Sequence, residues 1–228
     1  MKAIVDTPTD NFTPRTESTQ LMSVIVTELT APVMRARLYQ ALGVYVRAMD
    51  YPRGIEHTRA PMWAEHILRE GWRAVAAFDV PPNSPSSGPG RIGDSDPVPD
   101  SARLVGIAYG YRGSPAYWWD RQVRSAVRDS AGRRGTALMS DYFELTEIHV
   151  DPSAQGGGIG AALLSRLLSG LPESHVLLST PEVPDEDNRA WRLYRRTGFE
   201  DLLRHFRFLG DRRDFAVLAR ALPLPARS

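Results

Sequence analysis

From residue 142 to 150, apolar side chains fall on both faces of an extended segment. Tyr142, Glu144, Thr146, Ile148 and Val150 share one face, and Phe143, Leu145, Glu147 and His149 share the other. Alternation assigns the faces, and apolar residues on both predict a strand covered from two sides. Past Asp151 and Pro152 the period changes. Ile159, Leu163 and Leu167 recur at helical spacing, as do Leu164 and Leu168, which predicts a helix stopped by Gly170 and Pro172.

Upstream, residues 1–20 read as a flexible lead-in, and residues 21–224 as one domain. Residues 22–28 are β-branched and apolar, a strand. Thr30 then caps a helix with Pro32 in its first turn and Met34, Leu38, Leu42, Tyr45 and Met49 as its buried stripe. Pro61 is expected to open a second helix, with Trp63, His66 and Ile67 inward and Gly71 at its end. Residues 72–80 and 104–111 predict a pair of strands. The segment between them, 81–102, holds six prolines and few apolar residues, so it reads as a mobile hairpin insertion. Residues 113–129 predict a helix carrying Tyr117, Trp118 and Trp119, with Arg121, Arg124, Arg128, Arg133 and Arg134 on it or after it. That cluster fits either an aromatic core helix with a solvated basic face or a wall of a binding site.

Downstream, residues 175–180 predict a buried strand. A helix follows, capped by Asp185 or Asp187, with Ala190, Trp191 and Tyr194 inward and Gly198 at its end. Residues 199–208 and 214–222 form a closing hairpin. The order of elements makes the chain mixed α/β, with strands flanked by helices.

Composition narrows the partners. The 228 residues carry 28 basic against 27 acidic side chains, a net charge of +1, which gives no global field to draw nucleic acid. Cysteine is absent, so disulfides, thiolate zinc sites and a cysteine nucleophile are excluded. No Asp/His spacing suggests a metal. No apolar run reaches the roughly 18 residues of a membrane span, and residues 1–20 lack a signal-peptide core. A cytoplasmic location and a monomer or homodimer are expected.

The candidate chemistry starts at the turn between strand and helix, Gln155-Gly156-Gly157-Gly158-Ile159-Gly160. Glycines at a helix N-terminus let backbone N–H groups approach an anion, with the helix dipole in support. Read by itself, the turn fits a bare structural turn or a dinucleotide loop. Gly156, Gly158 and Ala161 match the dinucleotide pattern and would imply an NAD-dependent enzyme. A triphosphate loop is excluded because no Lys-Ser or Lys-Thr follows the glycines.

The whole string, Glu144-Leu145 through Ile148, Val150, Pro152, Gln155, Gly158 and Gly160, resembles the acetyl-CoA-binding motif of the GNAT family of N-acetyltransferases. Residues 188–199, NRAWRLYRRTGF, resemble that family's second signature. Two signatures in this order, with a strand between them, count against the dinucleotide reading, which calls for repeated βαβ units. YPRG, AYGY, YFELTE, LLSTPE and EDNRAWRLYRR together resemble an actinobacterial subgroup, some members of which are regarded as lysine acetyltransferases.

The resemblance implies a single domain whose mixed, largely antiparallel sheet is splayed into a V between strands 142–150 and 175–180. It implies acetyl transfer from acetyl-CoA to a primary amine, on a protein lysine or a small molecule, by direct attack in a ternary complex. A non-catalytic acyl-CoA-binding module is the alternative on the same fold. By the same resemblance, backbone groups of Ile148, His149 and Val150 pair with the pantetheine arm. The N–H groups of Gln155, Gly157, Gly158 and Gly160, in the loop that also holds Gly156 and Ile159, take the pyrophosphate. Asn188 hydrogen-bonds the cofactor. Relatives often carry Arg or Lys where this loop has Gly156 and Gly157, so charge assistance is missing there.

For the chemistry itself, Tyr194 is the candidate donor to the departing thiolate. The Ile148 N–H is the candidate oxyanion donor. Glu144 aligns with a glutamate base of the family, and Glu147 is the other candidate, expected on the opposite face beside His149 as a possible relay. Tyr109, Tyr111, Trp118 and Trp119 are expected to shape the acceptor site.

Overall fold

A computed structural model describes residues 23–80, 102–130 and 132–224. The insertion expected at 81–102 falls almost wholly outside the described residues, as does the lead-in. The described residues begin with strand β1 (Ser23–Leu29) and helices α1 (Ala31–Ala36), α2 (Leu38–Ala48) and α3 (Ile55–His66). Strands β2 (Arg73–Val80) and β3 (Arg103–Arg112) follow, then α4 (Trp118–Ser130) and α5 (Gly132–Leu138). The second half runs β4 (Tyr142–Val150), α6 (Ile159–Leu168), β5 (His175–Pro181), α7 (Arg189–Arg196), β6 (Glu200–Phe206) and β7 (Phe215–Ala221).

Seven strands form one sheet in the order β1-β2-β3-β4-β5-β7-β6, antiparallel except between β4 and β5. Side chains on one face pack beneath α6 and α7, through Leu163, Leu164, Leu167 and Trp191. The other face is covered by α1 to α3 on one half and α4 on the other. Every residue of the sequence-read α6 stripe is buried, each burial contributing about 1.5–3 kcal/mol. No helix among the described residues is long and apolar enough to cross a membrane.

Three local expectations change. α3 begins at Ile55 and runs through Pro61. Its start is set by Gly54, left-handed at φ +100, whose N–H donates to the Glu56 carboxylate at 2.7 Å. The first helix divides into α1 and α2 at Arg37, and α5 had no periodic signal to announce it.

A further change decides the site. β3 and β4 pair Tyr109 with Glu147 but Gly110 with Leu145, so Thr146 is an extra residue, a β-bulge. Alternation breaks there. Phe143, Leu145, Ile148 and Val150 pack toward α6, while Glu144, Glu147 and His149 all face α2 and α3. Glu147 was expected opposite Glu144; the bulge puts both carboxylates on one face. Gly110 permits the bulge, because a Cβ there would stand 2.2 Å from the Glu144 carbonyl oxygen and 2.4 Å from the Phe143 ring.

Candidate functional site

β4 and β5 are paired only from Tyr142–Glu144 to His175–Leu177. Beyond that they diverge, and residues 145–150 have no strand partner on the β5 side among the described residues. This is the V-shaped splay. Its closed end is braced by Asp120, fully buried, which accepts two hydrogen bonds from Arg124 at 2.7 Å and one from the Tyr142 hydroxyl at 2.7 Å. A buried carboxylate needs such saturation to be tolerated.

The free edge of β4 can be read from its ladder. Asp151 N–H donates to the Val105 carbonyl at 2.8 Å, so Asp151 and Val105 are a hydrogen-bonded pair. Antiparallel pairs alternate. His149 and Glu147 therefore spend their backbone groups on β3, and Ile148 and Val150 turn theirs toward the opening. His149 was expected to offer its backbone to a cofactor; the ladder gives that part to its two neighbours.

At the end of this edge lies the glycine turn. Gly156 and Gly158 are left-handed, at φ +96 and +79, conformations that favour glycine. The first bond into α6 is from Ala162 N–H to the Gly158 carbonyl. Among the described residues the N–H groups of Gly158, Ile159, Gly160 and Ala161 have no acceptor, the usual orphan set at a helix N-terminus. Gln155 differs from expectation. Its N–H turns back to the Pro152 carbonyl at 3.4 Å. Its side chain ties the turn to the strand instead, donating to the Val150 carbonyl at 2.9 Å and accepting from Arg189 at 2.6 Å.

Asn188 caps α7, its side-chain oxygen accepting from Trp191 N–H at 2.9 Å. This replaces Asp185 or Asp187 in that role and is worth about 1 kcal/mol of helix stability. One turn further along, Tyr194 is buried edge-on to Phe199 at 5.6 Å. Burial and the Glu147 charge keep its phenol protonated well above the ordinary tyrosine range.

The two β4 carboxylates have different surroundings. Glu144 is 4 % exposed, and its Oε1 accepts from the Tyr111 hydroxyl at 2.9 Å. Arg69 donates to that hydroxyl at 2.6 Å. Burial pushes Glu144 up to about 7, opposed by the Tyr111 hydrogen bond and the Arg69 charge. Glu147 is 16 % exposed and sits 2.6 Å from His149 Nε2. After burial, its charge helps hold the phenols of Tyr45, Tyr109 and Tyr194 above the ordinary tyrosine range, and it opposes the lowering of His66. His149 is held in place by the edge of the Tyr45 ring, 5.0 Å between centroids. His66, bonded to the Tyr109 hydroxyl at 3.0 Å, is driven down to about 4 by burial and Arg69, so it is neutral at pH 7.

Of the four aromatic residues expected around an acceptor, Trp118 is at the surface, 49 % exposed and stacked on Phe208. Tyr109 and Tyr111 are buried beneath α3, the first bonded to His66 and the second donating to Glu144. Trp119 packs in the core under α4, its indole donating to Ser179 at 3.1 Å. The residues that do line a cavity here, about 490 Å³, are Tyr51, Ile55, Thr58, Arg59, Met62 and Arg213, between α2, α3 and the β6–β7 hairpin. They come from segments far apart in sequence, and no local pattern marks them. The cavity adjoins Tyr45, whose ring meets both Tyr51 and His149. A larger cavity of about 550 Å³, by His175, Gly198 and Arg220, lies at the closed end of the splay, away from Glu147 and Tyr194. No cluster of three or more potential metal ligands occurs among the described residues.

Comparison with known proteins bears on the family and the fold. The family model for the acetyltransferase (GNAT) domain matches residues 115–201. The chain is 50% identical over 210 residues to the GCN5-like protein acetyltransferase Rv2170 of Mycobacterium tuberculosis, covering 89% of this chain and 100% of the relative. Among solved structures, the ribosomal-protein-S18-alanine N-acetyltransferase of Escherichia coli superposes with a TM-score of 0.53 at 15% identity, over 90% of this chain and 97% of that one. The yncA protein of Salmonella typhimurium, solved with its cofactor acetyl-CoA, gives 0.52 at 14% identity, over 90% and 96% of the two chains.

Proposed function

Because the chain belongs to the GNAT acetyltransferase family, we propose that it moves the acetyl group of acetyl-CoA to the lysine amine of a protein acceptor. The observation that carries this reading is the shared opening of three features: the orphan N–H groups at α6, the unpaired edge of β4, and Glu147 with Tyr194 nearby. The phosphates of CoA sit at the glycine turn, and the pantetheine arm runs along Ile148 and Val150 as an added strand. Its thioester then reaches the bulge, with Tyr194 at the sulfur and Glu147 on the acceptor side.

The amine enters past Tyr51 and Tyr45, as an ammonium. Glu147, hydrogen-bonded to His149, takes its proton. Glu147 is favoured over Glu144 because it borders the opening, whereas Glu144 is sealed behind Tyr111. The neutral nitrogen attacks the thioester carbon, and the N–C bond forms as the carbonyl pair moves to oxygen. The Ile148 N–H donates to that oxyanion. Collapse breaks the C–S bond as the phenol of Tyr194 protonates the departing thiolate. The nitrogen gives up its second proton, which passes through water to the Tyr194 phenolate, and Glu147 releases the first proton to solvent. CoA and an acetylated amine leave. No covalent intermediate on the protein is needed.

A protein acceptor is favoured by the half-identical relative, whose name is that of a protein acetyltransferase. It also fits the actinobacterial, lysine-directed subgroup that the sequence resembles. The test is a pair of acceptor panels with acetyl-CoA, read by thiol release and by mass. One panel contains lysine peptides with blocked N-termini; the other contains polyamines and peptides with free N-terminal alanine. Acetylation of lysine side chains is the expected result. Transfer confined to the second panel would overturn the protein-lysine assignment.

A further inference from the structure

We propose that Arg189, at the start of α7, is the cation that binds the CoA pyrophosphate at the glycine turn. The inference rests on the coenzyme A site described under the proposed function. A pyrophosphate brings two negative charges, and residues 155–160 offer no cationic side chain to meet them. Backbone N–H groups carry only partial charges, and a guanidinium adds a charge-assisted contact that they lack.

Arg189 is placed to complete it. Its guanidinium donates to the Gln155 side-chain oxygen at 2.6 Å, at the first residue of the turn. Gln155 is fixed in turn to the Val150 carbonyl at 2.9 Å. A chain of hydrogen bonds therefore runs from α7 to the end of β4, along the rim of the orphan N–H groups. α7 is close enough for this because Leu193, one turn beyond Arg189, touches α6. Its Cδ2 lies 3.4 Å from where a Cβ on Gly160 would stand.

Pairing and place together set Arg189 apart. Arg196, which likewise has no carboxylate partner among the described residues, donates to the Arg192 carbonyl at 3.2 Å at the far end of α7. Arg192 is paired with Asp187, Arg195 with Glu186 and Asp201, and Arg204 with Glu182. Arg189 has no carboxylate partner among the described residues; its partner is the neutral amide of Gln155. A guanidinium has five N–H donors, and Gln155 uses one. The remaining donors and the full charge are open to an anion at the turn. The missing loop cation is thus supplied from a helix that follows 34 positions later in the chain.

Binding measurements on four proteins test this: wild type, Arg189→Gln, Arg189→Lys, and Arg189→Gln combined with Gly157→Arg. Gly157 suits the transplant, because an ideal Cβ there meets nothing within 4 Å and its φ is not positive. Titration with CoA is expected to show about tenfold weaker binding for Arg189→Gln, the worth of one charge-assisted contact. The salt dependence of binding should be shallower in that variant. Arg189→Lys should keep most of the affinity, and the Gly157→Arg transplant should restore it.

Titration with dephospho-CoA, which lacks the 3′-phosphate, identifies the phosphate involved. The same loss with dephospho-CoA supports the pyrophosphate. A loss seen only with CoA would assign Arg189 to the 3′-phosphate and overturn the proposal as stated. Equal CoA affinity and equal salt dependence in wild type and Arg189→Gln would also overturn it. Wild-type protein that does not bind CoA at all would instead refute the reading of the turn itself.

Discussion

Tyr194→Phe lowers kcat on the order of 10²–10⁴-fold, the range that a positioned proton donor supplies. It leaves the affinity for acetyl-CoA essentially unchanged. The phenyl ring keeps the packing against Phe199 and the cluster under α6, so the variant folds. What is lost is one hydroxyl proton. Burial and the Glu147 charge hold that proton on the phenol at every pH near neutral. Tyr194 is therefore always loaded as a donor, and the thiolate leaves without one when the hydroxyl is gone. Steady-state kinetics with acetyl-CoA titrations check both halves. A fall in acetyl-CoA affinity with kcat intact would show that Tyr194 packs against the cofactor and donates nothing.

The second prediction separates the two glutamates by opposite effects. Glu147→Gln is expected to cost on the order of 10²-fold or more in kcat/KM at neutral pH, because it removes the base that borders the opening. Glu144→Gln is expected to act mainly on stability. A carboxyl held at about 7 in the fold, against 4.5 for the ordinary group, binds its proton more tightly in the native state than in the unfolded one. The stability it contributes is thus full below about pH 4.5 and is lost as pH rises to 7. Above that pH the ionised, buried Glu144 costs on the order of 3 kcal/mol. Gln carries no such charge. The variant should match wild type at low pH and melt several degrees higher at pH 8, a gap that thermal unfolding across the pH range will read. A reversed kinetic order, with Glu144→Gln inactive and Glu147→Gln active, would make Glu144 the base acting through water.

Much of this was legible before the structure. The change from two-residue to four-residue periodicity after Asp151 located β4, α6 and the turn between them, because each face is set by local alternation. The bulge was not legible in the same way. One extra residue reverses every face that follows it, and strict alternation therefore put Glu147 on the wrong side. Gly110 was the available signal: a glycine inside a strand marks a close backbone approach, here by the Glu144 carbonyl. Tyr109 and Tyr111 were misread for a related reason. Their residue types fit a binding wall equally well, and only the packing of α3 shows that they are covered. Asn188 took the cap because its own side chain reaches Trp191 N–H, a choice among neighbouring cap formers that local sequence leaves open. The tie between Gln155 and Arg189 spans 34 positions, beyond the reach of any local period.

The central claim is that the turn at α6 is a coenzyme A site. Thermal unfolding with acetyl-CoA, CoA and NAD(H) added separately tests it most directly. A ligand at about 100 times its Kd adds roughly 2.7 kcal/mol of stability. For a chain of this size that raises the melting temperature by roughly 5–10 °C. The account predicts such a rise with acetyl-CoA and with CoA and none with NAD(H). No rise with either CoA ligand, or a rise with NAD(H) instead, would contradict it.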